Sequence, residues 1–233
     1  MNKILVNDGK KIEIKEDTDL FLELSSQDDE INIDVLDNVR SNIKILGEKV
    51  NVTVNINVHQ NSKLYVNNLF IDSNVNLDVS LAKRDSEIEC INSMLSSKES
   101  NLRINIRHNY ESTKSLVINN GLVLNDNRII FEVNGIIGKH SKRSICLQDN
   151  KIITKYDNLS TVLPNLYIEN YDVEAEHSAY IGDFSEEDLF YLMSRGISKS
   201  DAELLLIKSF LLGKMKLSDD EMNMFMNEVI KKC

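Results

Sequence analysis

The residues best suited to metal chemistry lie together near position 177. His177 carries an imidazole, which is a good ligand for iron, and the carboxylates of Glu174 and Glu176 lie close by in sequence. In an alternating strand, Glu174 and Glu176 share one face while His177 points the other way, so joint binding of one ion requires a bulge or a turn. The alternative is a histidine that only hydrogen-bonds where the β part of the chain meets the helical part.

The cysteines are weaker candidates. Cys90, Cys146 and Cys233 are widely spaced and form no Cys-x-x-Cys pair, so we expect neither a disulfide framework nor a permanent iron–sulfur site. Cys146 would face a cluster if its strand lies beneath His177, whereas burial as a free thiol is the alternative for Cys146 and for Cys90. We expect Cys233 to be mobile and incidental.

Catalytic motifs are missing from the sequence. It contains no G-x-x-x-x-G-K-[ST] phosphate-binding loop, no G-x-S-x-G and no H-E-x-x-H, so we expect a protein that is not an enzyme. The remaining histidines give weak signals, because His59 and His108 end predicted strands and His140 lies in a basic turn. We expect these three side chains to be solvated.

Composition and charge exclude several function classes. The 233 residues carry a formal net charge of -10, which opposes nonspecific binding to nucleic acid or to anionic membranes, because both depend on Lys and Arg contacts. No window of about 18 apolar residues occurs, and the first residues lack the apolar stretch of a signal peptide. We therefore expect a cytoplasmic protein with no membrane partner and no nucleic-acid partner.

The chain before the His177 region alternates apolar and polar residues in short runs, for example at 31–35, 50–58 and 75–81. Such alternation predicts strands with one buried face, and their regular spacing leaves a sandwich, a barrel or a β-solenoid open. The sequence has only eight glycines, with Asp8-Gly9 and Asn120-Gly121 as the main hairpin-like pairs. Scarce hairpin signals and abundant asparagine favour the solenoid.

The rest of the chain predicts helices with clear boundaries. Ser185, Ser198 and Ser218 each precede an acidic residue by three positions, which is typical of a helix N-cap, and Arg195-Gly196 predicts the end of the first helix. The first two helices form a predicted hairpin. The last one has a methionine-rich apolar stripe over 222–230, which is either a partner-binding face or a surface that packs on the preceding helices.

Residues 171–210 resemble the conserved C-terminal motif of the SufB/SufD family, which assembles iron–sulfur clusters. The matching elements are Asp172-Val173, His177, Ala179-Tyr-Ile-Gly182, Glu186-Glu-Asp188, Leu189-Phe-Tyr-Leu-Met-Ser-Arg-Gly-Ile197 and Asp201-Ala202. The resemblance implies a mainly β protein with a right-handed parallel β-helix core, which we assign to 1–176. It also implies a C-terminal helical segment over 177–233 that docks a partner and caps the solenoid.

The resemblance also implies roles for individual residues. It places His177 at an interface where a transient iron–sulfur cluster forms, without a permanent cofactor, and we add the neighbouring Glu176 as a second candidate metal residue. Two departures stand beside this match, because Ala175 replaces a cysteine found in many SufD-like chains and Ser178 replaces a glutamate found in SufB-like chains.

Partner docking is expected on the first helix. The resemblance implies that Phe190, Tyr191, Arg195 and Gly196 form or support a surface for a SufC-like ABC ATPase; the alternative is internal packing against the solenoid end. The other expected partner is a SufB/SufD-like subunit, or a second copy of the chain in a homodimer.

We therefore interpret the chain as a short, non-catalytic scaffold subunit of a SUF-type iron–sulfur cluster assembly complex. A structural β-solenoid that binds another protein without metal chemistry is the alternative. A β-helix carbohydrate-active enzyme is a third interpretation, which the low aromatic content of 6% and the absent signal peptide oppose.

Overall fold

The computed structural model describes residues 2–6, 10–24, 29–155 and 159–232, and within them strands are followed by helices. The strands in chain order are β1 (Asn2–Val6), β2 (Lys10–Ile14), β3 (Asp19–Leu24), β4 (Asp29–Val35), β5 (Arg40–Glu48), β6 (Asn51–Val58), β7 (Lys63–Ile71), β8 (Asn74–Leu81), β9 (Glu87–Ser96), β10 (Ser100–His108), β11 (Lys114–Val123), β12 (Ile129–Ile137), β13 (Ser144–Ile153), β14 (Thr161–Ile168) and β15 (Val173–Gly182).

These strands form two sheets, and each turn of the chain adds one strand to each of them. The odd-numbered strands form sheet A, in the order β1 to β15, and the even-numbered strands form sheet B, in the order β2 to β14. Neighbouring strands are parallel throughout the described residues. The predicted β-solenoid is therefore confirmed, and the sandwich and barrel alternatives are wrong.

Alternation along each strand builds the interior, which we call the lumen. In β8, for example, Val75, Leu77, Val79 and Leu81 are buried while the residues between them face outward. The parallel register places equivalent positions of successive turns directly above one another, so these side chains form continuous apolar rows between the two sheets. The sequence separation between stacked residues grows from 23 in early turns to 31 in later ones.

Asparagine side chains reinforce the stack inside and at the corners. Within the lumen, Asn68 donates to Asn92, Asn92 to Asn119, and Asn119 to Asn150, over distances of 2.7–2.8 Å. At one corner, Asn61 has a φ of 52° and hydrogen-bonds to the turn below. Because asparagine tolerates this left-handed geometry, the corners need few glycines.

One predicted turn lies inside a strand. Asn120 and Gly121 belong to β11, so the hairpin suggested by this pair is wrong. A Cβ on Gly121 would lie 3.0 Å from the Phe131 ring, so close packing across the lumen explains this glycine. The other hairpin-like pair, Asp8-Gly9, lies outside the described residues.

Three helices follow: α1 (Glu186–Ser194), α2 (Lys199–Leu212) and α3 (Asp219–Ile230). The predicted N-caps are confirmed, since the side chains of Ser185, Ser198 and Ser218 each accept a hydrogen bond from the backbone N–H three residues later. Gly196 follows α1 with a φ of 85°, which explains why glycine stands there. Within the described residues, none of these helices is long and apolar enough to cross a membrane.

Helices α2 and α3 cover the outer face of sheet A rather than an end of the solenoid. The strands contribute an outward-facing apolar layer made of Phe21, Leu46, Leu69, Ile71, Ile91, Leu95, Ile118, Leu122 and Ile153. Against it pack Leu211, Leu212, Met215, Phe225, Met226 and Val229. The helical segment, which we expected to cap an end of the solenoid, therefore covers one side of it instead. Most of the methionine-rich stripe of α3 packs internally, with Phe225 against Phe21 of sheet A, while Ile230 stays 48% exposed.

The last strand extends the solenoid beyond the predicted domain boundary. The ladder between β13 and β15 continues to Gly182, so a boundary between residues 176 and 177 falls inside β15. The first helical residue is Glu186. His177 consequently belongs to the β-solenoid and is separate from the helical segment.

Candidate functional site

Strand β15 lies at the edge of sheet A and pairs with β13 on one side only in the described part of the chain. The carbonyls of Asp172, Ser178 and Gly182 accept hydrogen bonds from groups on or next to β13. Because alternate residues of a parallel strand bond to opposite sides, the backbone groups of the odd-numbered residues point away from β13. The N–H and C=O of His177 therefore lie on the open edge.

The side chain of His177 belongs to the lumen side of sheet A. Its register partner is Gln148, which lies on the buried, inward-facing positions of β13. Paired residues of neighbouring strands point to the same side of a sheet, so His177 stands at the mouth of the lumen, where it is exposed. A histidine here can accept a ligand that approaches from the end of the solenoid.

Glu176 is not brought together with His177. It pairs with Leu147 on the outward-facing positions of β13, and Glu174 pairs with Ile145 on the same side. The register of β15 is unbroken from Val173 to Gly182, so there is no bulge that could rotate these carboxylates towards the imidazole. The structure thus places the predicted metal residues His177 and Glu176 on opposite faces.

Beside Glu176, the outward face carries a small polar network. Ser178 donates to Asp149 at 2.7 Å, and the Lys214 ammonium lies 3.2 Å from the same carboxylate. Partial burial raises the pKa of Asp149, but the hydrogen bonds from Ser178 and Lys214 outweigh it and lower that pKa from its ordinary value. This network joins β15 to the segment that follows α2.

His108 is buried, which corrects the expectation that it is solvated. Its ring nitrogens lie 2.8 Å from the Thr113 hydroxyl and 2.9 Å from the Ser115 hydroxyl inside the lumen, and 1% of the residue is exposed. Burial lowers its pKa to about 4, so the ring is neutral at pH 7. The burial of His108 was predictable from the sequence, because His108 continues the alternating buried positions of Ile104 and Ile106.

The two described cysteines are buried free thiols, as the alternative for both predicted. Burial raises the pKa of Cys90 to about 12 and also raises the pKa of Cys146. Cys146 is the inward-facing residue before Gln148 on β13, and its register partner on β15 is Ala175. Cys233 lies outside the described residues. Among those residues, no group of three His, Cys, Asp or Glu side chains is arranged to hold a metal ion.

Within the described parts of the chain, no further strand covers the end of the solenoid that carries β14 and β15. We call this surface the open end. Its inward-facing side chains Ile168 and Ile181 stay 45% and 44% exposed, and on the outer faces of the same two strands Leu163, Tyr167 and Tyr180 stay 45–56% exposed. Exposed strand edges with apolar neighbours are typical of surfaces that pair with another chain.

Helix α1 is also uncovered. Its residues include none that are buried, with Phe190 exposed at 74% and Tyr191 at 57%. The Arg195 guanidinium lies 5.2 Å from the centre of the Tyr191 ring, within the range of a cation–π contact. No atom of the described residues lies within 4 Å of the position that a Cβ of Gly196 would take, apart from its chain neighbours. The predicted docking residues are thus all exposed, contrary to the internal-packing alternative.

Comparison with known proteins identifies relatives of this arrangement. Residues 35–210 match the family described as SUF system FeS cluster assembly, SufBD core domain. The match includes His177, the open end and α1, and it leaves α3 outside.

Two curated relatives come from staphylococci. An iron–sulfur cluster assembly SufBD family protein of Staphylococcus haemolyticus is 29% identical over 127 residues, which is 53% of this chain and 27% of that protein. A protein with the same description from Staphylococcus aureus strain USA300 gives the same identity and the same coverage. The aligned segment is therefore about a quarter of the relatives' length.

Proposed function

The chain belongs to the SufBD family of the SUF system, which suggests involvement in iron–sulfur cluster assembly, and we propose that it is a non-catalytic scaffold subunit. In this role it offers a surface on which a cluster forms and is then released. The cluster is cargo and the chain needs no permanent cofactor. The observation that carries the proposal is the position of His177, at the lumen mouth and on the open edge of β15.

The proposed partner at the open end is another SufB/SufD-like subunit or a second copy of this chain. An incoming antiparallel strand would bond to the outward-pointing backbone groups of β15. If two copies pair, the lumen-facing sides of both β15 strands must lie on the same side of the joined sheet. Inward-facing residues must therefore pair with inward-facing residues, which means odd numbers with odd numbers and even numbers with even numbers. The two-fold axis then passes through a residue, and an axis at His177 brings the two imidazoles face to face as cross-strand neighbours.

Such pairing would also cover the apolar residues of the open end. Ile168 and Ile181 extend the lumen rows to the surface, and their burial between two subunits is favourable at about 25 cal/mol per Å². His177 would then sit between two protein surfaces, where solvent is restricted and imidazole is a suitable ligand for iron. Glu176, on the other face, would not contact the same ion.

The proposed partner at α1 is a SufC-like ABC ATPase. The exposed Phe190 and Tyr191, with Arg195 beside Tyr191, have the composition of an interface hot spot, in which aromatic residues and arginine are enriched. ATP-driven movement of that ATPase would open the interface at His177. The proposed localisation is the cytoplasm, where such an ATPase would be available.

A reconstitution experiment tests the metal part of the proposal. The chain is purified with its SufB/SufD-like partner without oxygen, supplied with iron and sulfide, and compared with His177→Ala. His140→Ala is the matched control, because His140 is an exposed histidine in the turn before β13. We expect loss of iron and sulfide retention in His177→Ala alone. Equal retention in both variants would favour the alternative, a structural solenoid without metal chemistry.

A copurification experiment tests the ATPase part. The double variant Phe190→Ser and Tyr191→Ser changes exposed side chains only, so the fold should persist while the complex with the SufC-like ATPase weakens at least tenfold. Leu205→Ser serves as the control, since Leu205 is an exposed apolar residue of α2 at 46% exposure. An unchanged complex in the double variant would contradict docking at α1.

A further inference from the structure

The open end has two free strand edges, one on each sheet. Strand β14 ends sheet B as β15 ends sheet A, and among the described residues each of them pairs with a neighbour on one side only. A strand with a free side offers its outward N–H and C=O groups to an extended chain that approaches it. Which of the two edges accepts a strand therefore depends on the backbone groups that each one presents.

The hydrogen bonds of β14 with β12 show which of its residues face the free edge. The N–H of Glu169, one residue after β14, donates to the carbonyl of Ile137 on β12 at 2.9 Å. Because alternate residues of a parallel strand bond to opposite sides, the odd-numbered residues of β14 bond to β12. The backbone groups that point to the free edge are those of Val162, Pro164, Leu166 and Ile168.

Pro164 is the only proline in the chain, and it occupies one of these outward positions. Proline has no N–H, so β14 presents no donor between Val162 and Leu166. At about 3.3 Å per residue, the outward donors of these two residues are about 13 Å apart instead of the usual ~6.6 Å. The ladder with β12 does not use the missing N–H, so its register continues unbroken past Pro164.

The free edge of β15 has no such gap. Each of its outward residues carries an N–H, and these residues are Val173, Ala175, His177, Ala179 and Ile181. An incoming strand can bond continuously along this edge. On β14 the same strand would meet the pyrrolidine ring, and one of its carbonyls would be left without a donor.

We propose that Pro164 is a specificity-determining residue, which excludes strand addition at β14 and directs the edge strand of a SufB/SufD-like partner to β15. This inference rests on the proposed function, since it names the strand of the open end that the partner joins. The partner's strand extends sheet A alone and runs past His177. At sheet B the partner packs on exposed side chains such as Ile168, without a backbone ladder.

Amide hydrogen exchange in the complex tests which edge is used. The isotope-labelled chain is bound to its unlabelled SufB/SufD-like partner and compared by NMR with the free chain. We expect the exchange of the Ala175, His177 and Ala179 amides to slow at least about tenfold, because each becomes hydrogen-bonded in the complex. Exchange of the Leu166 and Ile168 amides should slow much less. Equal slowing on the two strands would overturn the inference.

Pro164→Ala tests the proline without any partner. The substitution returns an N–H to the free edge and leaves the ladder with β12 in place, so we expect self-association through β14. Light scattering should then give a mass that rises with concentration above that of the wild type. Val162→Ala is the matched control, because Val162 is another outward residue of β14 and keeps its N–H after the substitution. Equal masses for the two variants at every concentration would show that the proline does not block this edge.

The outcomes separate this inference from the proposed function. Slowed exchange on both β14 and β15 overturns the role of Pro164 and leaves assembly at the open end intact. If neither strand slows in the complex, the proposed function of the open end fails, and with it the directing of a partner to β15. The mass of Pro164→Ala still decides in that case whether the proline blocks the edge of β14.

Discussion

The outer face of sheet A is covered within the described residues, whereas the open end and helix α1 keep apolar side chains exposed. On the sheet, Phe225 of α3 is fully buried and lies 6.1 Å from Phe21, ring centre to ring centre. On α1, which follows β15 in the chain, Phe190 is 74% exposed. The covered surface therefore serves the fold, and the exposed one is where we propose that partners bind.

Polar groups separate the two regions as well. On sheet A, Asn120 donates to the carbonyl of Phe210 at 2.8 Å, and Asn42 donates to the carbonyl of Lys216 at 3.2 Å. These bonds satisfy carbonyl groups at the end of α2 and just after it. They therefore fix the orientation of the helical segment on sheet A, in addition to the burial of its apolar side chains. At the open end, the outward backbone groups of β15 face no further strand among the described residues.

The sharpest test of this comparison replaces one phenylalanine in each region. Phe225→Ala removes a fully buried ring and should lower the free energy of unfolding by about 3–5 kcal/mol, because it leaves a cavity between α3 and sheet A. Phe190→Ala should change it by no more than about 0.5 kcal/mol. Urea denaturation of both variants measures the difference, and similar losses would break the comparison.

A buried ion pair provides a second test on the covered face. Lys44 is 1% exposed on sheet A and lies 3.0 Å from Glu221 of α3, with Asp19 as its other partner. Lys44→Met leaves the Glu221 carboxylate buried without its cation, and we expect a loss of about 3–5 kcal/mol. Arg103→Met, which breaks an exposed pair on sheet B, should cost less than about 1 kcal/mol.

The same pair should respond to acid. Burial raises the pKa of Glu221, but hydrogen bonds from the Ser218 backbone and the Lys44 ammonium outweigh it and lower that pKa from its ordinary 4.5. A lowered carboxyl pKa contributes stability above the unfolded value, and this stability is lost as the pH falls through the folded value. Glu221→Gln should therefore reduce stability at neutral pH and have little effect once the wild-type carboxyl is protonated.

His108 supplies a third, more gradual test inside the lumen. Its pKa is lowered from 6.5 to about 4. Between pH 4 and pH 6.5, His108 is therefore protonated in the unfolded chain and neutral in the folded chain. The wild type should lose about 3 kcal/mol of stability as the pH falls from 6.5 to 4. In His108→Gln this part of the slope should vanish. A slope equal to that of the wild type would show that the ring is not held neutral.

The strands were predictable from the sequence because alternation survives in nearly every turn. The side-chain rows were not, since the separation between stacked residues changes from 23 to 31 and no fixed period reveals that Gln148 pairs with His177. The covered face left a partial signal: in Leu69-Phe70-Ile71, consecutive apolar residues replace alternation, which indicates burial on both faces.

The candidate site was predictable only in part. The family motif identified His177, and the caps at Ser185 and Ser198 gave the helices around the exposed Phe190 and Tyr191. Alternation already separated Glu176 from His177, and the unbroken register of β15 confirms that separation. The junction with the helices could not be placed at Glu186 from sequence, because β15 reads as polar and its pairing depends on a distant strand.

The central claim, that the open end of the solenoid is an assembly surface, is tested most directly by a proline on its edge. Ala179→Pro removes an N–H that points away from β13, so the ladder and the fold should persist while assembly with a second copy or a SufB/SufD-like subunit is lost. Light scattering after size-exclusion chromatography should give a two-subunit mass for the wild type and a single-chain mass for the variant. Equal masses for the two proteins, alone and with the partner, would contradict the account.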